Sequence, residues 1–211
     1  FTLLTRISTY AAVAIFAAAI TSTVFLFFSR EYDGWITSYV GGDGLEADVV
    51  VLPDGTRVSL GTRTSFSYDS RYGQSERVVQ LEGEAYFEVS KTGQPFLVNT
   101  KGVQVEVLGT TFNISAYPDE EYQATLVNGS VKVNAEKSGS LILKPSQQAT
   151  LSVGSNSMQV RTVDTSFYTS WVEGKIHFKD QRLEDIMKTL SRWYDICLLY
   201  TSPSPRDGLL S

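Results

Sequence analysis

The sequence predicts a mainly β protein with a single N-terminal transmembrane helix and, near its end, the start of a small α+β domain. Three observations within the 211 residues lead to this fold class. An apolar stretch without a charged residue covers 10–28, apolar and polar residues alternate almost continuously from about 47 to 163, and an apolar helical stripe follows between Leu183 and Tyr194.

The apolar stretch YAAVAIFAAAITSTVFLFF has nineteen residues, close to the ~20 that a helix needs to cross a bilayer. A cleaved signal peptide would have a shorter apolar stretch with a small-residue exit, and a buried helix would show a polar face. Arg6 and Arg30 flank the stretch evenly, so charge does not fix its orientation. We therefore predict a flank at 1–9, a transmembrane helix at 10–28 and a Gly- and Asp-rich linker at 29–45.

The middle of the chain, residues 46–165, is predicted to form an all-β domain, because apolar residues recur at every second position in a series of short runs. Asn128-Gly129 between two such runs is typical of a two-residue hairpin turn. A glycine follows a strand start at 81–83, 107–109 and 127–129, and this loose repeat favours a β-solenoid or β-helix-like domain. A β-sandwich predicts the same alternation, so that alternative stays open.

Residues 166–196 are predicted to be the start of a truncated α+β domain. Its elements are a short strand at 175–178 (KIHF) and a helix that Asp180 can cap. The helix carries one apolar stripe, expected to be ordinary core packing, with a partner contact as the alternative: Leu183, Ile186, Met187, Leu190, Trp193 and Tyr194. Residues 197–211 (CLLYTSPSPRDGLLS) have no periodicity and resemble translated sequencing-adapter read-through, so we expect a non-native tail.

Composition excludes several classes of function. The formal net charge is -5 and no run of Lys or Arg occurs, so we expect no nucleic-acid partner. The single cysteine, Cys197, permits no internal disulfide, and with the single histidine, His177, it cannot form a His/Cys zinc site. We therefore predict no catalytic residue, no metal ligand and no cofactor site, and we interpret His177 as structural.

Five motifs occur in a fixed order: VVLPDGTRVSL (50–60), RVVQLEGEAYFEV (77–89), PFLVNT (95–100), VQVEVLGTTFNISAY (103–117) and ATLVNGSVKV (124–133). Together they resemble the periplasmic domain of the FecR family of anti-sigma regulators. WVEGKIHFKDQRLEDIMKTLSRWYDI (171–196) resembles the start of the C-terminal domain of Bacteroidetes-type members. One departure is Leu60-Gly61-Thr62, where family members usually have Asn after the Leu, and it affects only a turn.

The resemblance implies a regulator of transcription and not an enzyme. It implies a cytoplasmic N-terminal domain that binds an extracytoplasmic-function sigma factor, followed by a single helix in the inner membrane. It also implies a periplasmic region that reads the signalling domain of a TonB-dependent outer-membrane transporter. Position 1 is Phe, so we expect the sigma-binding domain to precede this chain and the C-terminal domain to lie in the periplasm.

The alternative function is a membrane-anchored carbohydrate-binding or glycoside-hydrolase β domain. Glu82, Glu84 and Glu88 alternate along one predicted strand and therefore share a face with Tyr86. Carboxylates two positions apart on a strand lie roughly 7 Å apart, which is within the spacing of glycosidase carboxyl pairs. The simpler interpretation is the solvated face of a half-buried sheet. A glycosidase would need Glu82 and Glu84 to line an aromatic cleft.

Pro53-Asp54-Gly55-Thr56 is predicted to be a β-turn and not a binding loop. Pro presets φ, the Asp side chain bonds back to the chain, and Gly accepts a positive φ. Asn113-Ile114-Ser115 and Asn128-Gly129-Ser130 match glycosylation sequons, but turn chemistry explains Asn128, and neither match points to a function.

Overall fold

The computed structural model describes residues 35–40, 47–69, 72–74, 76–118, 120–152, 157–179, 181–194 and 196. The predicted transmembrane helix at 10–28, most of the linker and the tail at 197–211 lie outside these residues and stay predictions. In the part of the chain that the structure describes, no helix is long and apolar enough to span a membrane.

The described residues form thirteen strands before the first helix, which confirms the mainly β prediction. In chain order they are β1 (Trp35–Val40), β2 (Asp48–Val51), β3 (Arg57–Leu60), β4 (Ser65–Asp69), β5 (Arg77–Glu88), β6 (Phe96–Thr100), β7 (Val103–Val107), β8 (Thr111–Ala116), β9 (Tyr122–Asn128), β10 (Val131–Ala135), β11 (Gly139–Leu143), β12 (Gln147–Leu151) and β13 (Gln159–Thr162). We call this region the β-domain.

Strand β5 belongs to two sheets and joins them. Its first half, residues 77–82, pairs with β4 and β6 in a sheet ordered β1-β4-β5-β6-β7-β10-β11, which we call sheet A. Its second half, residues 83–88, pairs with β3 and β8 in a sheet ordered β2-β3-β5-β8-β9-β12-β13, which we call sheet B. The chain therefore changes sheets in the middle of one twelve-residue strand.

Gly83 stands at the point where β5 changes sheets, with a φ of +115°. A Cβ atom there would lie 2.5 Å from Oγ1 of Thr64, so no larger residue fits without displacing Thr64, the residue directly before β4. Gly129 repeats the arrangement against Thr110, with a φ of +98° and a Cβ clearance of 2.9 Å. Of the three glycines in the predicted repeat, these two are therefore equivalent in structure, whereas Gly109 has no positive φ.

One hydrophobic cluster fills the space between the sheets. Phe87 of β5 contacts Phe66 and Phe96 of sheet A, with ring centroids 6.4 and 6.0 Å apart. It also stacks on Phe112 of sheet B at 4.9 Å. Burial of each of these rings removes a large apolar area from water and contributes roughly 1.5–3 kcal/mol. Because one ring touches both sheets, the sheets share a single core.

The predicted β-solenoid is wrong for the described residues. Parallel β-helices stack their coils through parallel strands, but here β5–β6 is the one parallel pairing between described strands, and the other pairings are antiparallel. Alternation could not decide this point, since side chains alternate with period two in both architectures. Two facing sheets joined through β5 into a nearly closed, barrel-like sheet come nearer to the sandwich alternative.

Helical elements follow the β-domain: α1 (Ser166–Thr169), a 3₁₀ turn (Ser170–Glu173) and α2 (Leu183–Trp193). Gly174, at a φ of +72°, ends the 3₁₀ turn, and its N–H bonds back to the carbonyl of Trp171. The predicted helix is confirmed, although Asp180 lies outside the described residues and Arg182 occupies the N-cap position. We call the described residues of 166–196 the C-terminal segment.

The predicted strand at 175–178 is not formed. A strand needs a neighbour to complete its hydrogen-bonded ladder, and none of the described strands pairs with these residues. The apolar stripe of α2 is only partly covered: Trp193 is 8% exposed, whereas Leu183 is 65% exposed. Of the predicted stripe, Trp193 is therefore buried, Ile186, Met187 and Leu190 are half-buried, and the two ends, Leu183 and Tyr194, are exposed.

Candidate functional site

A row of polar side chains crosses the outer face of sheet B. Cross-strand pairing aligns one residue from each of six neighbouring strands: Ser59, Tyr86, Asn113, Thr125, Gln148 and Arg161. Although this face points away from the core, Asn113 is only 3% exposed, Thr125 1% and Gln148 0%. The cover is the C-terminal segment, which makes this face an interface inside the molecule.

Gln148 lies at the centre of one polar network in this row. Its Nε2 donates to Oγ1 of Thr125 at 2.8 Å and to Oε1 of Gln123 at 3.3 Å. Its Oε1 accepts from Nε and Nη2 of Arg161 at 2.9 and 2.7 Å, and Nη2 also donates to the Tyr168 hydroxyl at 3.2 Å. The amide thus uses both donors and both acceptor positions, as a buried amide must to offset its lost hydration. Tyr168 brings α1 to this end of the row.

Asn113 links the C-terminal segment to β5. Its Oδ1 accepts a 3.2 Å hydrogen bond from the indole Nε1–H of Trp171, and its Nδ2 donates to Oε1 of Glu84 at 2.9 Å. The indole can only donate and a carboxylate can only accept, so this orientation of the amide satisfies both partners. Trp171 itself is 8% exposed. One amide therefore connects the 3₁₀ turn, β8 and β5.

A second contact fastens α2 to the same face. Arg192 forms an ion pair with Glu120, and the two side chains are 15% and 29% exposed. Its guanidinium also lies over the ring of Tyr117, 4.0 Å from the centroid. The Tyr117 hydroxyl in turn donates to the backbone carbonyl of Thr62 at 2.8 Å. The helix is therefore held by a charged group that is partly shielded from water.

Between these contacts lies a cavity of about 780 Å³. Its walls come from both the sheet and the C-terminal segment, and they include Glu84, Asn113, Arg161, Trp171, His177 and Arg192. Cavities of this size fall within the range of ligand pockets, but the charges on its walls are of both signs, so they select no single class of ligand.

Burial changes the ionisation of two groups in the interface. Burial raises the pKa of Glu84 to about 7, against the hydrogen bond from Asn113 and the charge of Arg192, which lower it. Burial, followed by the charge of Glu84, raises the pKa of Tyr117 to about 12. Tyr117 is therefore a neutral hydrogen-bond donor near neutral pH, whereas the carboxyl group of Glu84 changes charge there.

The three glutamates singled out in the sequence do alternate on one face of β5, as predicted, with Ala85 buried on the other. Only Glu84 lines the cavity. Glu82 is exposed beyond the bend at Gly83, and Glu88 forms an exposed ion pair with Arg57 at 3.5 Å. The structure therefore does not bring Glu82 and Glu84 together in an aromatic cleft. The simpler interpretation of a solvated face therefore holds for Glu82 and Glu88, whereas Glu84 is half-buried and lines the cavity.

The predicted turn at 53–56 is confirmed. Asp54 accepts hydrogen bonds from the backbone N–H of Thr56 at 3.0 Å and from its hydroxyl at 2.9 Å. Gly55 follows with a φ of +82°. The turn therefore has a structural role, and its aspartate also has a partner that the motif did not indicate.

That partner is Arg77, a cation buried to 1% exposure. Its Nη1 donates to Oδ2 of Asp54 at 2.8 Å and to the carbonyl of Ser90 at 2.9 Å, and its Nη2 donates to the carbonyl of Gln94. Burial alone would raise the pKa of Asp54, but the hydrogen bonds from Arg77 and Thr56 lower it. Sequence reasoning missed Arg77, although the alternation of β5 places it in an inward-facing position.

His177 lines the cavity and makes an edge contact with the ring of Phe167, with centroids 5.9 Å apart. Across the described part of the chain, no group of three or more His, Cys, Asp or Glu side chains could hold a metal ion. Cys197 lies outside the described residues. The residues that matter at this site were missed: Asn113 stood out only as part of a sequon, and Trp171 and Arg192 only within longer motifs.

Two family matches coincide with the two parts of this structure. The FecR protein family matches residues 42–132, and the family described as FecR, C-terminal, matches residues 175–208. A search of curated proteins found no match. The first match lies on the β-domain, and the second begins directly after the 3₁₀ turn that carries Trp171.

Two crystal structures of a Parabacteroides distasonis protein, described as a "putative anti-sigma factor", resemble this fold. One has a TM-score of 0.70 and 31% identity and covers 76% of each chain. The other has a TM-score of 0.69 and 31% identity and covers 75% of each chain. The similarity thus covers more residues than the β-domain alone contains. An identity of 31% over this length is enough to establish family membership. This chain belongs to the FecR family of anti-sigma regulators, a regulatory and non-enzymatic family.

Proposed function

We propose that this protein relays a periplasmic signal from a TonB-dependent outer-membrane transporter to a cytoplasmic extracytoplasmic-function sigma factor. In this proposal the apolar residues 10–28 form the single pass through the inner membrane. The β-domain and the C-terminal segment lie in the periplasm, and the sigma-factor contact lies on the cytoplasmic side. Family membership supports the sigma-factor partner.

The observation that carries the proposal is the docking of the C-terminal segment on sheet B through polar contacts. The hydrophobic core of the β-domain contains neither Trp171 nor Trp193, so this core is complete without the segment. The docked contacts include one hydrogen bond from Trp171 and an ion pair from Arg192. An interface of this kind can open without unfolding either side, which is what a relay between two partners requires.

A reporter gene that depends on the sigma factor tests the relay in cells that make the protein from its complete reading frame. Trp171→Ala is expected to remove most of the transcriptional response to the inducer, because the segment no longer docks. Removal of residues 166 onward should abolish the response. Ile142→Ala is the matched control: it changes an apolar side chain that is 67% exposed on β11 of sheet A.

Co-purification separates a broken relay from a broken protein. The sigma factor should still co-purify with the Trp171→Ala protein, since the proposal places that contact on the other side of the membrane. An unchanged inducer response in both the Trp171→Ala protein and the truncated protein would refute a sensing role for the C-terminal segment.

A further inference from the structure

Glu84 is a half-buried acidic group in an interface where its hydrogen-bond donor is neutral. The donor that reaches its carboxylate from the described residues is the amide of Asn113, at 2.9 Å. Arg192 is near enough to act on Glu84 electrostatically, but its ion pair is made with Glu120. While the interface is closed, the ionised form of Glu84 loses part of its hydration, and a neutral amide and a cation that is paired with Glu120 offset that loss only in part.

Other titratable groups surround this carboxylate. Tyr117 and Glu120, from the connection between β8 and β9, and Arg192 of α2 act on it directly. Glu120 adds a like charge, so its presence further disfavours the ionised form of Glu84. The remaining charged or titratable groups on the described cavity wall are Glu121, Arg161, Asp164, Tyr168, Lys175, His177, Lys179, Asp185 and Lys188.

The two protonation states of Glu84 fit two states of the interface. A neutral carboxylic acid can stay in the closed interface and still accept from Asn113, and it needs no counter-ion. A carboxylate is better hydrated when the C-terminal segment lifts away from sheet B. We propose that the C-terminal segment closes on sheet B with uptake of a proton by Glu84, so that acidic conditions hold it docked and a rise in pH loosens it.

The direction and range of the effect follow from linkage. An exposed glutamate titrates near 4.5, whereas burial raises the pKa of Glu84 in the docked state to about 7. Between these values the docked state binds one more proton than the open state. The equilibrium constant for opening therefore rises with pH through this range, by at most about tenfold per pH unit, and levels off above it.

This inference deepens the proposed function, on which it rests only for its biological meaning, because docking itself is a property of the chain. The experiment below measures docking and not transcription. If docking depends on pH but Trp171→Ala leaves the reporter response unchanged, the proposed relay is wrong and the pH-dependent docking stands. If docking does not depend on pH but Trp171→Ala removes the reporter response, the pH-dependent docking is wrong and the relay stands.

Hydrogen–deuterium exchange of the complete chain, kept in detergent because of its apolar residues 10–28, measures the opening. Exchange of the α2 amides, corrected for the intrinsic rate at each pH, gives the opening constant between pH 5 and pH 8. In the wild type we expect this constant to rise at least tenfold over that range. Glu84→Gln, which keeps the size of the side chain and removes its charge, should stay docked with a flat profile.

Glu82→Gln is the matched control, since it removes an exposed carboxylate two positions away on the same strand and should behave as wild type. His177→Gln tests the histidine on the cavity wall. Exchange of the β5 amides shows that each variant is folded. The proposal would be overturned if the opening constant of the wild type did not change with pH. It would also be overturned if the pH dependence survived in Glu84→Gln or was lost in His177→Gln.

Discussion

The indole N–H of Trp171 donates a hydrogen bond to Oδ1 of Asn113 across 3.2 Å, although the two residues are 58 positions apart. Asn113 faces outward from β8 between the buried Phe112 and Ile114. Its position on that face depends on the β-strand, and the position of the indole depends on the 3₁₀ turn. The contact therefore exists only while the C-terminal segment lies on sheet B.

Asn113→Ala is predicted to loosen the C-terminal segment while the β-domain stays folded. The substitution leaves the Trp171 indole without its acceptor and Glu84 without its donor, which costs about 1–3 kcal/mol for a buried polar group. Hydrogen exchange of the α2 amides should then accelerate about 5- to 150-fold at constant pH. Ser115→Ala, on the same strand and face, should change it little. Equal exchange in both variants would contradict the contact.

Arg77→Ala is predicted to destabilise the whole β-domain by about 3–5 kcal/mol, because it leaves Asp54 as a buried, unpaired charge. Urea unfolding followed by circular dichroism measures the change. Arg57→Ala is the matched control, since its ion pair with Glu88 has side chains 58% and 51% exposed. That pair should contribute no more than about 1 kcal/mol. Similar losses of unfolding free energy in the two variants would show that the buried Arg77–Asp54 pair stabilises the domain no more than the exposed Arg57–Glu88 pair does.

Acid should weaken the β-domain partly through Asp54. The pKa of this carboxyl is lowered in the folded state below its ordinary 3.8, so its contribution to stability is present above that value. The contribution is lost as the pH falls through the lowered value. Asp54→Asn should therefore lose less stability than the wild type between pH 5 and pH 2.5 in urea titrations. Parallel pH profiles for the two proteins would contradict the assignment.

Gly83→Ala is predicted to cost more than Gly93→Ala. Both glycines have positive φ values, +115° and +85°, so both substitutions carry backbone strain of about 1–3 kcal/mol. A Cβ at Gly83 would also lie 2.7 Å from the Cα of Thr64, whereas nothing lies within 4 Å of one at Gly93. The free energy of unfolding from urea titration should separate the two variants by at least about 1 kcal/mol. Equal losses of stability in the two variants would mean that Thr64, directly before β4, is not in close contact with Gly83 of β5.

Most predictions that depend on local pattern are confirmed, but the hairpin predicted at Asn128-Gly129 is wrong. Strand β9 pairs with β8 and β12 in sheet B, whereas β10 pairs with β7 and β11 in sheet A, so the chain changes sheets at this turn. Alternation along β5, the turn at 53–56 and the helix at 183–193 are each set by nearby residues, and each is confirmed. The family was also recognisable, because five ordered motifs specify it. Strand pairing was not predictable in this way, since alternation fits a solenoid as well as facing sheets.

The candidate site was missed because its parts are distant in sequence. Glu84 looked like a solvated glutamate, since only the fold brings Trp171 over its face of the sheet. The strand predicted at 175–178 failed for a related reason: its alternation is visible, but pairing depends on a neighbour that no described strand provides. Arg77 is different, because its inward register on β5 could have been counted from the alternation.

A double-mutant cycle between Asn113 and Trp171 tests the docked interface most directly. Opening free energies from exchange of the α2 amides are compared for the wild type, Asn113→Ala, Trp171→Phe and the double variant at one pH. Phe keeps an aromatic ring at this position and removes the indole donor. We predict a coupling energy of at least about 0.5 kcal/mol, as for residues in direct contact. Additivity within about 0.3 kcal/mol would show that the two residues do not interact, and the docked interface would then be wrong.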